Sequence, residues 1–121
     1  MTGNYNLLQT KSFAFSIRVV KLYKHLSIEK KELVLSKQLL RSGTSIGAMI
    51  RESEYSESKM DFIHKLAIAQ KENNETLYWL ELLYETEYFN KAAFDSIHND
   101  ALELIKIITA SIKTAKQNIN N

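Results

Sequence analysis

Apolar residues recur at steps of three and four along most of the chain, the spacing that one face of an α-helix produces. The clearest stretch is 58–85, where one face carries Phe62, Leu66, Ala69, Asn73, Thr76, Leu80 and Leu83. Ser58 followed by Asp61 predicts where this helix begins, because the serine can cap it and the carboxylate can reach back. From Gln70 to Thr76, however, the helix has no apolar residue.

Three other stretches show the same periodicity and predict helices over about 6–26, 31–55 and 91–116. Asn90 is a plausible N-cap for the last of them. Because the connections are short, neighbouring helices should run antiparallel. We therefore predict an all-α fold, an up-down-up-down four-helix bundle forming one domain over residues 1–121. The alternative is a pair of helical hairpins that completes its core only in an oligomer.

The second and third helices each carry a polar interruption, and the two interruptions should lie at the same height. An antiparallel turn near Ser56 and Glu57 places 70–76 level with 38–44, and both segments are polar. Matched buried polar groups imply mutual hydrogen bonds, and we expect Arg41 to pair with Glu72 or Glu75. The predicted mid-bundle polar layer consists of Gln38, Arg41, Ser42, Glu72, Asn73, Glu75 and Thr76. Such a layer either fixes helix register or forms a ligand site.

Gly43 and Gly47 lie inside the second predicted helix, where each costs about 1 kcal/mol relative to Ala. Close approach of a neighbouring helix is the expected compensation. The antiparallel register places Gly47 level with Ala67, so the third helix is the expected neighbour.

Charge is unevenly distributed, although the net charge is only +2. Residues 1–51 carry nine Lys or Arg and two acids, which gives +7, whereas residues 52–121 carry seven bases and twelve acids, which gives −5. Bases spread over one surface bind phosphates without reading sequence. The candidate nucleic-acid face consists of Lys11, Arg18, Lys21, Lys24, Lys30, Lys31 and Lys37. The alternative is that the acidic part neutralises these bases within or between subunits.

Several kinds of chemistry find no support in the sequence. Cys is absent, so disulfides and thiolate metal sites are excluded. The pairs Asp61/His64 and Asp95/His98 imitate half of a two-metal bundle site, but they open antiparallel helices and lie at opposite ends. We predict no metal, no cofactor and no catalytic residue. The N-terminus lacks the apolar run of a signal peptide, and no segment has the length of a membrane span, so we expect a cytoplasmic protein.

The segment 45–83 resembles the four-helix-bundle family named for the 23S ribosomal RNA intervening sequence. The residues that carry the resemblance are Ser45, Ile46, Arg51, Glu52, Ser58, Asp61, Phe62, Ile63, Lys65, Leu66, Ile68, Ala69, Lys71, Glu72, Glu75, Thr76, Tyr78, Trp79 and Leu80. The likeness extends more loosely over about 10–116. It implies a bacterial, cytoplasmic bundle that assembles as a homopentamer. A similar bundle serves as a nucleic-acid-binding accessory protein of diversity-generating retroelements.

These observations predict a non-enzymatic, homo-oligomeric bundle that associates nonspecifically with nucleic acid, either RNA or DNA. The alternative is a structural adaptor that binds another protein through an acidic or apolar face.

Overall fold

Four long helices make up the fold. The structure is a computed structural model that describes the backbone of residues 3–120 and the side chains of residues 6–119. Helix α1 spans Gly3–Lys24, α2 Leu35–Ser53, α3 Lys59–Glu85 and α4 Lys91–Asn120. No strand occurs between residues 3 and 120, so the predicted all-α bundle is confirmed. Within the same range, no helix is long and apolar enough to cross a membrane.

Helices α3 and α4 begin at the residues that the sequence indicated. The Ser58 hydroxyl accepts a hydrogen bond from the Asp61 amide at 3.0 Å, and the Asp61 carboxylate accepts one from the Glu57 amide at 3.1 Å. At the start of α4, the Asn90 side-chain oxygen accepts a hydrogen bond from the Ala93 amide at 2.8 Å. Each cap satisfies amide groups that the first helical turn leaves without an intrahelical partner.

The connection between α1 and α2 differs from the prediction. A π-helical turn, His25–Glu29, follows α1, and α2 begins at Leu35 rather than Lys31. The reason is local: Lys31 has a φ of 58°, a left-handed conformation that no helix can continue. The Glu32 carboxylate then accepts hydrogen bonds from the amides of Val34, Leu35 and Ser36 at 2.7–3.2 Å, so it caps α2 from outside the helix.

The helices pack as a square, each against its neighbours in sequence, and the α1–α4 seam closes the bundle with the least extensive packing of the four seams. One continuous core runs through all of them. Its fully buried large side chains include Phe15, Leu39, Ile46, Leu66, Leu80, Leu83, Leu104 and Ile108. Burial of each such side chain contributes about 1.5–3 kcal/mol, and this core positions the polar surfaces described below.

The two glycines of α2 face α1, so the predicted contact with Ala67 of α3 is wrong. A Cβ on Gly43 would lie 2.8 Å from both γ-methyl groups of Val19. A Cβ on Gly47 would lie 3.0 Å from the Ser16 hydroxyl and 3.3 Å from the Ser12 carbonyl oxygen. The predicted close approach therefore exists, but it joins α2 to α1.

Candidate nucleic-acid interface

The seven residues of the candidate face divide into two groups. Lys11 Nζ lies 2.5 Å from a Glu103 carboxylate oxygen. Arg18 donates to the Asp100 carboxylate at 2.5 Å and to the Ser96 hydroxyl at 2.9 Å. Both bases therefore join α1 to α4. Acids of α4 neutralise them within one chain, which is one of the alternatives that the charge distribution left open.

The other five bases are exposed, and we call them the basic end: Lys21, Lys24, Lys30, Lys31 and Lys37. They lie on the last turns of α1, on the connection and on the first turn of α2. Across residues 6–119, none of the five forms an ion pair with a carboxylate. The end of the bundle where α1 meets α2 therefore keeps positive charge available for a partner.

Two acids lie among these lysines in the sequence: Glu29 lies 2.5 Å from His25, and Glu32 is hydrogen-bonded to the backbone. Glu32 is buried; burial alone would raise its pKa, but the amides of Leu35, Ser36 and Val34 hydrogen-bond the carboxylate and lower the pKa overall. A carboxylate that accepts three amide hydrogen bonds stays ionised. Glu32 therefore holds the connection in shape, and it is not paired with the exposed lysines around it.

Three bulky aliphatic side chains are exposed on the same connection. Ile28, Leu33 and Val34 have 63%, 56% and 71% of their surfaces accessible. Single exposed apolar residues are ordinary, but three on one short connection form a local apolar patch beside the basic end.

The outer part of the mid-bundle polar layer contains the predicted ion pair. Arg41 donates to the Glu72 carboxylate at 3.1 Å and also to the Glu75 carboxylate, which accepts a second hydrogen bond from Trp79 Nε1 at 3.0 Å. The Trp79 and Arg41 hydrogen bonds lower the pKa of Glu75, against the effect of burial. The Arg41 side chain is half exposed but the Glu72 side chain is only 12% exposed, so the pair lies at the boundary between core and solvent and joins α2 to α3.

The inner part of the layer is buried. The hydroxyls of Ser42 and Thr76 lie 3.0 Å apart across α2 and α3, and Thr76 also lies 2.8 Å from the Glu72 carbonyl oxygen. Asn73 is completely buried, and neither its amide nitrogen nor its amide oxygen has a hydrogen-bond partner among the described residues. Gln38, by contrast, is exposed. The layer thus matches α2 to α3 in the predicted register.

The acids and histidines of the two predicted pairs lie in different surroundings. Asp61 caps α3, while His64 is exposed. Asp95 lies 2.7 Å from Lys91, and His98 Nε2 lies 2.9 Å from Glu81. Within residues 6–119, no three His, Cys, Asp or Glu side chains are grouped as a metal site would require.

Helix α1 exposes three large apolar side chains. Leu7, Phe13 and Ile17 are each exposed over more than two-fifths of their surfaces, and the Arg51 guanidinium lies 5.5 Å from the centre of the Phe13 ring. A surface groove of about 850 Å³ runs along the seam between α1 and α2, and Phe13, Ser16 and Gly47 are among its lining residues. On α3, Tyr78 is exposed while Trp79 packs against the core, because adjacent residues of a helix project about 100° apart.

A model of the 23S rRNA-intervening sequence protein family matches residues 6–110. The chain belongs to this family. The resemblance seen in the sequence is thereby confirmed. The matched range covers α1 from Asn6 onward, all of α2 and α3, and most of α4. It includes the basic end and the whole mid-bundle polar layer.

A solved relative shares the bundle. The chain is similar to the crystal structure of a protein of unknown function from the S23 ribosomal protein family of Bacteroides thetaiotaomicron, with 55% sequence identity and a TM-score of 0.90. The similarity covers 91% of this chain and 98% of that one. No functionally curated protein matches the chain.

The roles of several residues in the candidate interface could not be predicted from the sequence. Glu32 gave no signal because its capping role depends on a left-handed residue before it. The contacts of Lys11 and Arg18 with α4 were missed because α1 and α4 are not consecutive, so no turn fixes their register. A partial signal existed: Lys11 and Arg18 are seven residues apart, which places both on one side of α1.

Proposed function

We propose that this chain is a cytoplasmic, non-enzymatic, homo-oligomeric bundle, a pentamer, that binds RNA or DNA nonspecifically through the basic end. One observation carries the proposal: five exposed lysines that no carboxylate of the described chain neutralises. Lysines arranged in this way bind the phosphate backbone and do not read bases. The proposal narrows the candidate face by setting aside Lys11 and Arg18, which are already paired.

The exposed apolar side chains of α1 support assembly. Leu7, Phe13 and Ile17, together with the groove between α1 and α2, offer apolar area that a second copy of the chain would bury. In a ring, the basic end would be repeated in every subunit. Linked copies of a weak phosphate-binding surface bind far more tightly than one copy, because each further contact is intramolecular.

The test combines assembly with binding. Light scattering first establishes the oligomer. Fluorescence anisotropy at about 50 mM salt then measures binding of labelled RNA and DNA. Reversing Lys24, Lys30 and Lys31 to Glu should abolish binding while the helical circular dichroism spectrum is retained.

The control reverses Lys106, Lys113 and Lys116 to Glu. These are three exposed lysines of α4, so the net charge changes equally. Binding should be weakened much less. Absence of binding by a confirmed wild-type oligomer, or equal losses in the two triple variants, would overturn the proposal.

A second candidate is favoured by Ile28, Leu33 and Val34. Aliphatic side chains contribute little to binding phosphates, and an exposed apolar patch of this kind fits a protein partner. On this account the chain is an adaptor. A confirmed oligomer that binds no nucleic acid, but loses a protein partner when Leu33→Asn and Val34→Asn are combined, would favour it.

A further inference from the structure

A cavity of about 760 Å³ opens next to the basic end, where the π-helical turn faces the α3–α4 connection. Lys30 and His25 line one side, and the rings of Tyr84, Tyr88 and Phe89 line the other. Its volume lies in the range of about 300–1,000 Å³ that small-ligand sites occupy. It lies on the same end of the bundle as the exposed lysines, and neither the fold nor the phosphate contacts account for it.

The local backbone explains why aromatic rings reach this position. Glu87 has a φ of 69°; its amide donates to the Tyr84 carbonyl and the Tyr88 amide donates to the Leu83 carbonyl, both at 3.0 Å. This is the Schellman arrangement, which ends a helix with a left-handed residue. The turn ends α3 and places Tyr88 and Phe89 beside Tyr84 at the cavity.

The aromatic rings pack against one another and against the core. Tyr84 stacks on Phe94 with ring centres 4.3 Å apart and planes inclined by 15°, and Phe89 lies 6.5 Å from Tyr84. Tyr88 and Phe89 are only partly buried, with one side against the core. Aromatic rings held in this way can stack with a nucleobase, and any base offers a π-face for stacking.

The polar groups of the cavity divide by charge. Lys30 lies on the side of the exposed lysines Lys24 and Lys31, where phosphates would lie. Glu85 and Glu87 line the cavity on the α3 side, and carboxylates accept hydrogen bonds from the amino groups of bases, as they do from cytosine N4. A ligand with an anionic backbone and an aromatic, amino-bearing group fits this division.

We infer that the cavity takes an unpaired nucleotide, so that the partner of the basic end is single-stranded nucleic acid. This inference rests on the proposed function and names the form of the ligand. A base in a duplex is stacked and paired, so it cannot enter a cavity without being extruded, which costs several kcal/mol. Phosphate contacts by the basic end alone would bind either form. The cavity therefore adds affinity only for single strands.

The experiment compares a labelled single-stranded RNA of about 12 nucleotides with the same sequence as a duplex, using the full-length oligomer. Wild type should bind the single strand more tightly. Tyr88→Leu combined with Phe89→Leu should reduce single-strand affinity on the order of tenfold or more, since stacking on aromatic side chains is worth that much per base. Duplex binding should stay unchanged. The control is Tyr55→Leu, which replaces an exposed ring on the α2–α3 connection, at the opposite end of the bundle from the cavity.

Cross-linking keeps the inference testable if the double variant misfolds. Ultraviolet irradiation of wild type with a single strand containing 5-bromouridine should attach the RNA to the peptide that contains Tyr88 and Phe89. Equal affinity for single strand and duplex, or cross-links only to other peptides, would overturn the cavity assignment while the proposed function stands. Absence of binding to both probes would overturn the two together.

Discussion

The mid-bundle polar layer and the basic end are both rich in polar side chains, but they differ in where their partners lie. In the layer, Arg41 reaches Glu72 and Glu75, and Ser42 meets Thr76. At the basic end, five lysines face solvent with no carboxylate partner in residues 6–119, and Glu32, the buried acid among them, is held by backbone amides.

This difference in partners distinguishes residues that stabilise the bundle from residues that can bind another molecule. Polar groups that satisfy one another hold helices in register and leave little for a ligand. Like charges clustered without counter-charges repel one another, which is unfavourable unless a partner supplies the opposite sign. Where the chain provides the partner, the residues hold the helices together; where exposed charges have no partner in the chain, they are available to bind another molecule.

The largest expected effect on stability is at the basic end. Replacing Glu32 with Ala removes the acceptor of three amide hydrogen bonds and leaves the start of α2 uncapped. We expect the free energy of unfolding to fall by about 3 kcal/mol, at roughly 1 kcal/mol for each hydrogen bond. Urea denaturation measures the change. Glu29→Ala is the control, because Glu29 is exposed and its contact with His25 lies at the surface, so the change should cost less than about 1 kcal/mol. An unchanged midpoint for Glu32→Ala would show that the cap contributes nothing.

The next effect lies in the mid-bundle polar layer and has the opposite sign. Asn73 is buried with both amide atoms unpaired, which costs about 1–3 kcal/mol. Asn73→Leu removes that cost at similar volume, so the bundle should become more stable by about 2 kcal/mol. Thermal unfolding followed at 222 nm, a wavelength dominated by helix, measures it. A loss of stability would show that Asn73 has a polar partner in solution.

Acid should remove part of the Glu32 contribution. The folded pKa of Glu32 is lowered, so its stabilisation is present above the unfolded value of about 4.3 and is lost as pH falls through the folded pKa. The effect should be smaller than that of Glu32→Ala, because a protonated carboxyl still accepts hydrogen bonds. Wild type should therefore lose more stability than Glu32→Gln between neutral and acid pH. Parallel curves for the two proteins would contradict this.

The smallest effect concerns the Arg41 ion pair. Arg41 is half exposed, although the Glu72 side chain is only 12% exposed, so water reaches the pair from the Arg41 side. Arg41→Ala should therefore reduce stability by about 1 kcal/mol. A loss of several kcal/mol, the value expected if the pair were buried, would show that the outer layer is less hydrated than the geometry indicates. The matched control is Lys65→Ala, which breaks the surface Lys65–Glu52 pair between the end of α2 and the start of α3. Its effect on stability should be similarly small.

The sequence predicted what depends on periodicity and short-range contacts, and failed where long-range placement decides. The four helices, the caps at Ser58 and Asn90 and the register of Arg41 with Glu72 follow from residues close in sequence or joined by one turn. The start of α2 and the direction of Gly43 and Gly47 do not. Whether a basic residue is free depends on which acids the α1–α4 seam brings near it, as the ion pairs of Lys11 and Arg18 show.

The division of the basic residues into paired and unpaired groups is best tested by the salt dependence of binding. Each phosphate neutralised on a single strand contributes about −0.7 to the slope of log K against log salt concentration. Single Lys→Gln changes at Lys24, Lys30 or Lys31 should each make the slope shallower, by about 0.7 for each subunit in contact with the strand. Lys11→Gln should leave it unchanged, because Lys11 already pairs with Glu103. Equal changes from Lys11→Gln and the basic-end variants, or binding that does not respond to salt, would contradict the account.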